Sequence, residues 1–448
     1  MPLTLEPTQP TFRREAISLD FNRALAPMVA ACLGFFLQFN IMTSNFGLPF
    51  LRVTDALLFL LLPCLFITVG LTATARYGVA YFFILCTVVL MALVLKTAVA
   101  AGDTYYTLIF FLSAVFSFYF AFIASENENV LIYFSIGTLL GLVPSLIVLF
   151  LQAGGNSSLP SIGLGVRPED LPERASLLGT VKFGGMWVHG NEAGHVYALA
   201  LAPALYLTLK WRRPMIYIAA YVCLIASFAV TLNRAGLIAP TIGLIFCYAR
   251  LGNYSLYVKS AVAVAVAGTL ILSYADIPNL DTFYETLQSR FLEDSNTDNN
   301  VSERLTSNLA GIQIALENPF GIGIEERVVT MMQKTSSHLF SIHNGFLSFA
   351  YQCSLFVPIA FAISGIYLWR RRQIVSPFYV ITFLFAATSM MFEEVSINQA
   401  YVFAVPMIIA AAWIQYYKYD VEQRRTRTVP LHLGFRKTRS VDSQFSGR

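Results

Sequence analysis

The side chains best suited to chemistry in this chain are Arg234, Arg304 and His343, and none lies inside one of its long apolar runs. A guanidinium presents a planar fork of donors that matches phosphate oxygens two at a time, so grouped arginines suit an anionic headgroup. An imidazole titrates near neutral pH, which makes a histidine beside them a candidate catalyst. Each also has a plainer reading. Arg234 could be an interfacial arginine reaching towards headgroups, and His343 a polar residue at the entry to a helix. Arg290, Asn344, Asn191, Arg174 and Glu393 stand as further candidates for a binding site, with Arg167, Lys182, His189, Glu192 and Glu394 beyond them.

Arg290 and Arg304 belong to a polar island from Ala275 to Ile342, stranded between hydrophobic runs. Within it, Ser302 to Leu316 reads as a helix. Ser302 is its expected N-cap, and Leu305, Leu309, Ile312 and Leu316 recur at helical spacing. That stripe would let the helix lie along a membrane surface, with Arg304 in its first turn. A shorter stretch, Thr282 to Leu292, places Phe283, Leu287 and Phe291 on one face with Arg290 beside them. The turn Glu317-Asn318-Pro319-Phe320-Gly321-Ile322-Gly323 should end the main helix, because a proline pushes the residue before it out of helical geometry. Ser341-Ile342-His343-Asn344 then leads into the next apolar run.

The elements that must position these residues are membrane helices. The 448 residues are 56% hydrophobic and only 12% charged, with a mean hydropathy of +0.62; soluble domains carry roughly a quarter charged residues. A bilayer core of about 30 Å takes roughly 20 apolar residues per helix. Twelve candidate spans follow, at about 24–42, 55–75, 77–96, 104–124, 130–152, 191–209, 214–232, 235–250, 254–275, 344–368, 376–392 and 399–417. The expected fold is therefore all-α and polytopic, with about twelve transmembrane helices and a long helical loop before the tenth.

Orientation follows from lysine and arginine placement. Arg13, Arg14 and Arg23, then Lys210, Arg212 and Arg213, then Arg370, Arg371 and Arg372, and finally the basic tail all fall on one side. That side is expected to be cytoplasmic, with both termini on it and the loops at about 153–190 and 276–342 opposite. The implied division is a cytoplasmic segment 1–23, a membrane domain 24–417 and a basic tail 418–448 that either stays unfolded or lies on anionic lipid. No cleavable signal peptide is expected, since the first twenty residues are polar. The six cysteines all lie in apolar runs, without metal-ligand spacing or a disulfide framework.

Several classes of function lose support. No charged residue lies near the centre of an expected span, whereas ion-coupled transporters generally use one. No phosphate-cradling glycine loop with a following lysine is present, which argues against an ATP-driven pump. The outer loops show no spaced cluster of metal ligands, and no cofactor is expected.

The order of these features resembles the O-antigen ligase and polymerase superfamily of bacterial envelope glycosyltransferases. The resemblance rests on Asn233-Arg234-Ala235-Gly236, Ser302-Glu303-Arg304-Leu305, the turn 317–323, and Ile342-His343-Asn344-Gly345-Phe346-Leu347, and spans roughly 185 to 400. Two positions depart from it: Asn233, where serine is frequent, and Asn308, where an aromatic commonly follows the loop arginine. The resemblance implies transfer of a glycan from undecaprenyl diphosphate to an acceptor at the periplasmic face of the bacterial inner membrane, without a metal. By the same resemblance Arg234 and Arg304 grip the diphosphate, and His343 orients or deprotonates the acceptor hydroxyl or touches the diphosphate. For a ligase the acceptor is lipid A–core sugar, as in lipopolysaccharide assembly; for a polymerase it is another lipid-linked repeat. A flippase or transporter for lipid-linked sugars is the third reading, disfavoured by the absence of mid-membrane charge. Membrane lipids are expected neighbours; nucleic acid is not an expected partner.

Overall fold

The computed structural model describes residues 25–38, 101–153, 185–187, 190–231, 297–323, 327–335, 342, 344–391, 399–421 and 423–424, and every regular element among them is helical. Helix α1 covers Leu25–Phe36, α2 Ala101–Glu126, α3 Asn129–Ala153, α4 Gly190–Trp211 and α5 Pro214–Thr231. Then follow α6 Thr297–Glu317, α7 Arg327–Thr335, α8 Gly345–Gln352, α9 Phe356–Arg370, α10 Pro377–Met390 and α11 Gln399–Gln415. The last runs on through a π turn, Tyr416–Val421.

Helices α2, α3, α4, α5, α10 and α11 fall within a few residues of expected spans. By length and apolarity Asn129–Leu151 and Ala400–Val421 could each cross a bilayer, with mean hydropathies of 2.3 and 1.4. The expected spans at 55–75, 77–96, 235–250 and 254–275 lie outside the described residues, as does the stretch Thr282–Leu292.

Aromatic side chains tie the bundle together. Phe134 of α3 stacks on Phe403 of α11 at 5.8 Å, and Phe120 of α2 meets both edge-on at 5.2 and 5.6 Å. The Ser117 hydroxyl adds a hydrogen bond to the Phe403 carbonyl at 3.2 Å. Helices α1 and α3 come closer still. A Cβ added at Gly34 would sit 2.2 Å from the Phe134 carbonyl oxygen, and one at Gly137 would sit 2.0 Å from that of Ala31. Gly137 and Gly141, four residues apart on α3, give the small-residue spacing by which membrane helices approach backbone to backbone.

The charged groups gather at one end of this bundle. Lys210 at the end of α4 pairs with Glu128, which also accepts from the Tyr206 hydroxyl at 3.1 Å. Lys418 of the π turn pairs with Glu126 and donates to the Ser125 hydroxyl at 3.0 Å. Arg371 pairs with Asp420, which accepts from the Tyr367 hydroxyl at 2.7 Å. The loops after α2, α4 and α9 therefore share an end, so α8 and the start of α9 lie towards the other.

Two expectations need correction. The main loop helix begins at Thr297, not at Ser302. Asp298, Asn299 and Asn300 already lie in its first turn, and Ser295 and Asn296 precede it. With so many short polar residues in a row, residue type did not single out the cap. The tenth span is also not continuous. Helices α8 and α9 are separated at Cys353-Ser354-Leu355. In an unbroken helix the Pro358 ring would meet the Ser354 carbonyl four residues back and leave it without a donor. The break instead puts Pro358 in the first turn of α9, where a missing N–H costs nothing. The Ser354 hydroxyl takes the role of cap, accepting from the Phe356 N–H at 3.2 Å.

Candidate functional site

The polar island packs on the bundle through a small core of its own. Ala310, Ile314 and Ala315 of α6, Met331 of α7, Ile342, and Ala350 and Tyr351 of α8 form a buried cluster separate from the main one, with Ile322, Leu347 and Leu355 against it. Helix α8 is the joint between the two cores: its Phe349 belongs to the main cluster and lies 6.3 Å from the Phe110 ring. Small residues on one face of α6 permit this docking. A Cβ at Gly311 would lie 2.3 Å from Ile342 Cδ1.

The opposite side of α6 is exposed. Leu305, Leu309, Ile312 and Leu316 are 60%, 58%, 43% and 67% exposed. These are the four residues of the stripe expected to face a membrane, and burial is confined to the small-residue face. A helix whose leucines are outward and whose alanines and glycine are inward is built for an apolar surrounding on its outer side.

The turn 317–323 braces the break between α8 and α9. The Ile322 N–H donates to Tyr351 O at 2.6 Å and the Gly323 N–H to Gln352 O at 3.1 Å, while Leu355 N–H donates to Pro319 O at 2.9 Å. The Ser354 hydroxyl donates to the same Pro319 oxygen at 3.0 Å. Buried backbone freed by a break must find other hydrogen-bond partners; this turn supplies them. Gly321 and Gly323 adopt φ of 82° and 92°, and at Gly321 a Cβ would come within 2.8 Å of Cys353 O. The Phe320 and Phe356 rings close the junction at 5.8 Å.

Glu317 anchors the turn from below. It accepts from Lys334 of α7 and from Gln313, each at 2.8 Å. The Lys334 hydrogen bond, aided by that of Gln313, holds its carboxyl below the usual carboxylate range.

Of the sequence-derived site residues, Arg304 and Asn344 are fully described. Arg304 lies on α6, exposed, and its guanidinium makes no ion pair or hydrogen bond among the described residues. Seven residues separate it from Gly311, about 10 Å along the helix axis. Asn344 is the N-cap of α8: its side-chain oxygen accepts from the Leu347 N–H at 3.1 Å. Asn191 and Glu192 lie in the first turn of α4. Arg234, Arg290, Arg174, Arg167, Lys182, His189, His343, Glu393 and Glu394 lie outside the described residues. The structure thus brings the helix of Arg304 onto Ile342 and α8, which precede and follow His343 in the chain.

One polar residue was not singled out from the sequence. His195, one turn beyond Asn191 on α4, is fully buried, and its carbonyl accepts from the Tyr401 hydroxyl of α11 at 3.0 Å. Its four-residue spacing from Asn191 was the available signal.

Residues 219–353 match the O-antigen ligase family. The matched stretch begins in α5 and ends at the break after α8. It includes Arg234, Arg290, Arg304, His343 and Asn344, together with the whole small core and the bracing turn. The match supports membership of the O-antigen ligase superfamily, an O-antigen ligase or polymerase type of function, and lipid-linked glycan substrates in a membrane. Among curated proteins the comparison found no match.

Proposed function

We propose that this chain is a glycosyltransferase of the O-antigen ligase type, acting at the periplasmic face of the bacterial inner membrane. The observation that carries the reading is the docking of the Arg304 helix onto Ile342, next to His343, within the stretch matched by the O-antigen ligase family. The end of the bundle rich in lysine and arginine is cytoplasmic, as are both termini, and the leucine stripe of α6 lies on the outer leaflet. Arg304 is thereby held at headgroup height, where the diphosphate of an undecaprenyl carrier sits.

In this reading Arg304 and Arg234 bind the diphosphate, and Arg290, Arg174 and Asn191 extend the site. The acceptor hydroxyl oxygen bonds to the anomeric carbon as the carbon–oxygen bond to phosphate breaks, a direct displacement with inversion. Undecaprenyl diphosphate leaves, its charge stabilised by the guanidinium groups as it develops. His343 takes or steers the hydroxyl proton, and Glu393 serves the acceptor. Asn344 holds α8 in place through its cap. The arginines do the work that a divalent cation does elsewhere.

The acceptor in this account is lipid A–core sugar. A repeat-unit polymerase for O-antigen or exopolysaccharide shares the donor and the fold, and a deletion strain separates the two. Loss of a ligase leaves polymer stranded on its carrier; loss of a polymerase leaves single repeats or no polymer. Transport of a labelled lipid-linked donor across proteoliposomes without transfer would instead mark a flippase.

A further inference from the structure

Gln38, just past the end of α1, and Thr382 of α10 are only 3% and 5% exposed. The Gln38 amide oxygen and the Thr382 hydroxyl are buried with no hydrogen-bond partner among the described residues. Both side chains line one cavity, together with Thr138 of α3, Leu199 and Pro203 of α4, and Met407 of α11. The cavity gives the centres of water molecules about 30 Å³ to occupy, and holding one water takes roughly 10–15 Å³. The close approach of α1 to α3 seats the glutamine: a Cβ at Gly141 would lie 2.9 Å from Gln38 Cγ.

The wall of this cavity is rich in acceptors. The Thr138 hydroxyl gives its hydrogen to the Phe134 carbonyl at 3.0 Å, which leaves it only lone pairs to offer. Pro203 lies inside α4 and has no N–H for the Leu199 carbonyl one turn back. We propose that the cavity is a water-binding site, in which buried water bridges Gln38 and Thr382 and hydrates α4 at Pro203. The chemistry selects water. It both donates and accepts, so it serves the lone pairs of Thr138 and Leu199, the Thr382 hydroxyl and either end of the Gln38 amide. A hydrocarbon chain offers no donor to any of them, and an anion would add acceptors to a wall already made of them. A dry cavity would strand two buried polar atoms, which folded proteins rarely do. The first turn of α4 carries Asn191 and Glu192, so the same water steadies the helix that presents those two residues.

The test is X-ray hydroxyl-radical labelling of the full chain in nanodiscs, read residue by residue by mass spectrometry. Radicals form from bound water as well as from bulk water, so a buried side chain beside a bound water is labelled. Met407 lines the cavity; Met390 of α10 is outside that lining, and the two are 1% and 0% exposed. Met407 should be oxidised faster than Met390, and Gln38→Leu and Thr382→Val should each lose that excess. Each substitution should also lower the melting temperature, because it strips a partner from the bound water. Thr382→Val keeps the side-chain shape and decides the matter should Gln38→Leu fail to fold. Oxidation of Met407 no faster than Met390 in the parent chain would overturn the proposal. So would an excess that survives both substitutions, which would assign it to bulk solvent. A rise in melting temperature in either variant would mark a dry cavity, since removing an orphaned polar atom is then stabilising, and would overturn it too.

Discussion

The Ile322 N–H donates to the Tyr351 carbonyl at 2.6 Å, across a gap of some thirty residues in the chain. In an unbroken helix that carbonyl would accept from residue 355; here Leu355 turns to Pro319 instead. The turn 317–323 is therefore a brace for a broken apolar helix rather than a simple linker. It fixes α8, and α8 carries both the small core and the cap at Asn344.

Gly321 is the point where this brace is most exacting. Its φ of 82° disfavours any L side chain, and a Cβ would meet Gln352 O at 2.7 Å. Gly321→Ala should destabilise the protein by about 1–3 kcal/mol, read as a lower unfolding midpoint in detergent. A variant as stable as its parent would remove the brace from the account.

The leucine stripe of α6 should contact lipid. Ile312 and Gln313 are both exposed but, as neighbours in the chain, point about 100° apart around the helix. Tryptophan placed at 312 should be quenched by brominated lipid, and tryptophan at 313 should respond to an aqueous quencher instead. Equal aqueous quenching at both positions would lift the helix off the membrane.

The link between α6 and α7 should be pH-dependent in one direction. Hydrogen bonds from Lys334 and Gln313 depress the Glu317 pKa, so the charged carboxylate favours the folded arrangement. That contribution is present above the usual carboxylate pKa of about 4.3 and is lost as pH falls through the depressed folded value. Hydrogen exchange across Arg327–Thr335 should quicken in acid beyond the intrinsic pH trend, and Lys334→Met should abolish the excess. An excess that survives in Lys334→Met would place its origin elsewhere.

Much of the helical architecture was legible because long apolar runs mark where helices begin and end. Helices α3 and α4 begin within one residue of their expected starts, and α5 begins at its expected residue, Pro214. The stripe on α6 was legible for the same reason: spacing alone places Leu305, Leu309, Ile312 and Leu316 on one flank. The break in the tenth span was not seen, although Pro358 marked it, because what stabilises the break is backbone from Pro319 to Gly323. A partner so distant in the chain leaves no periodicity to follow. The role of Asn344 shows the same limit. Its side-chain oxygen caps α8 by accepting from the Leu347 N–H, and that bond could be read only from the folded chain.

The central claim is that Arg304 holds the diphosphate of a lipid-linked glycan donor. The measurement that tests it most directly is glycan transfer by the purified chain, with a labelled undecaprenyl-diphosphate-linked donor and its acceptor. Arg304→Ala should keep the parent melting temperature, since its guanidinium makes no ion pair among the described residues, and lose about a hundredfold or more in rate. Arg304→Lys should recover only part of it, because an ammonium cannot match two phosphate oxygens at once. Transfer at the parent rate by a folded Arg304→Ala chain would contradict the account.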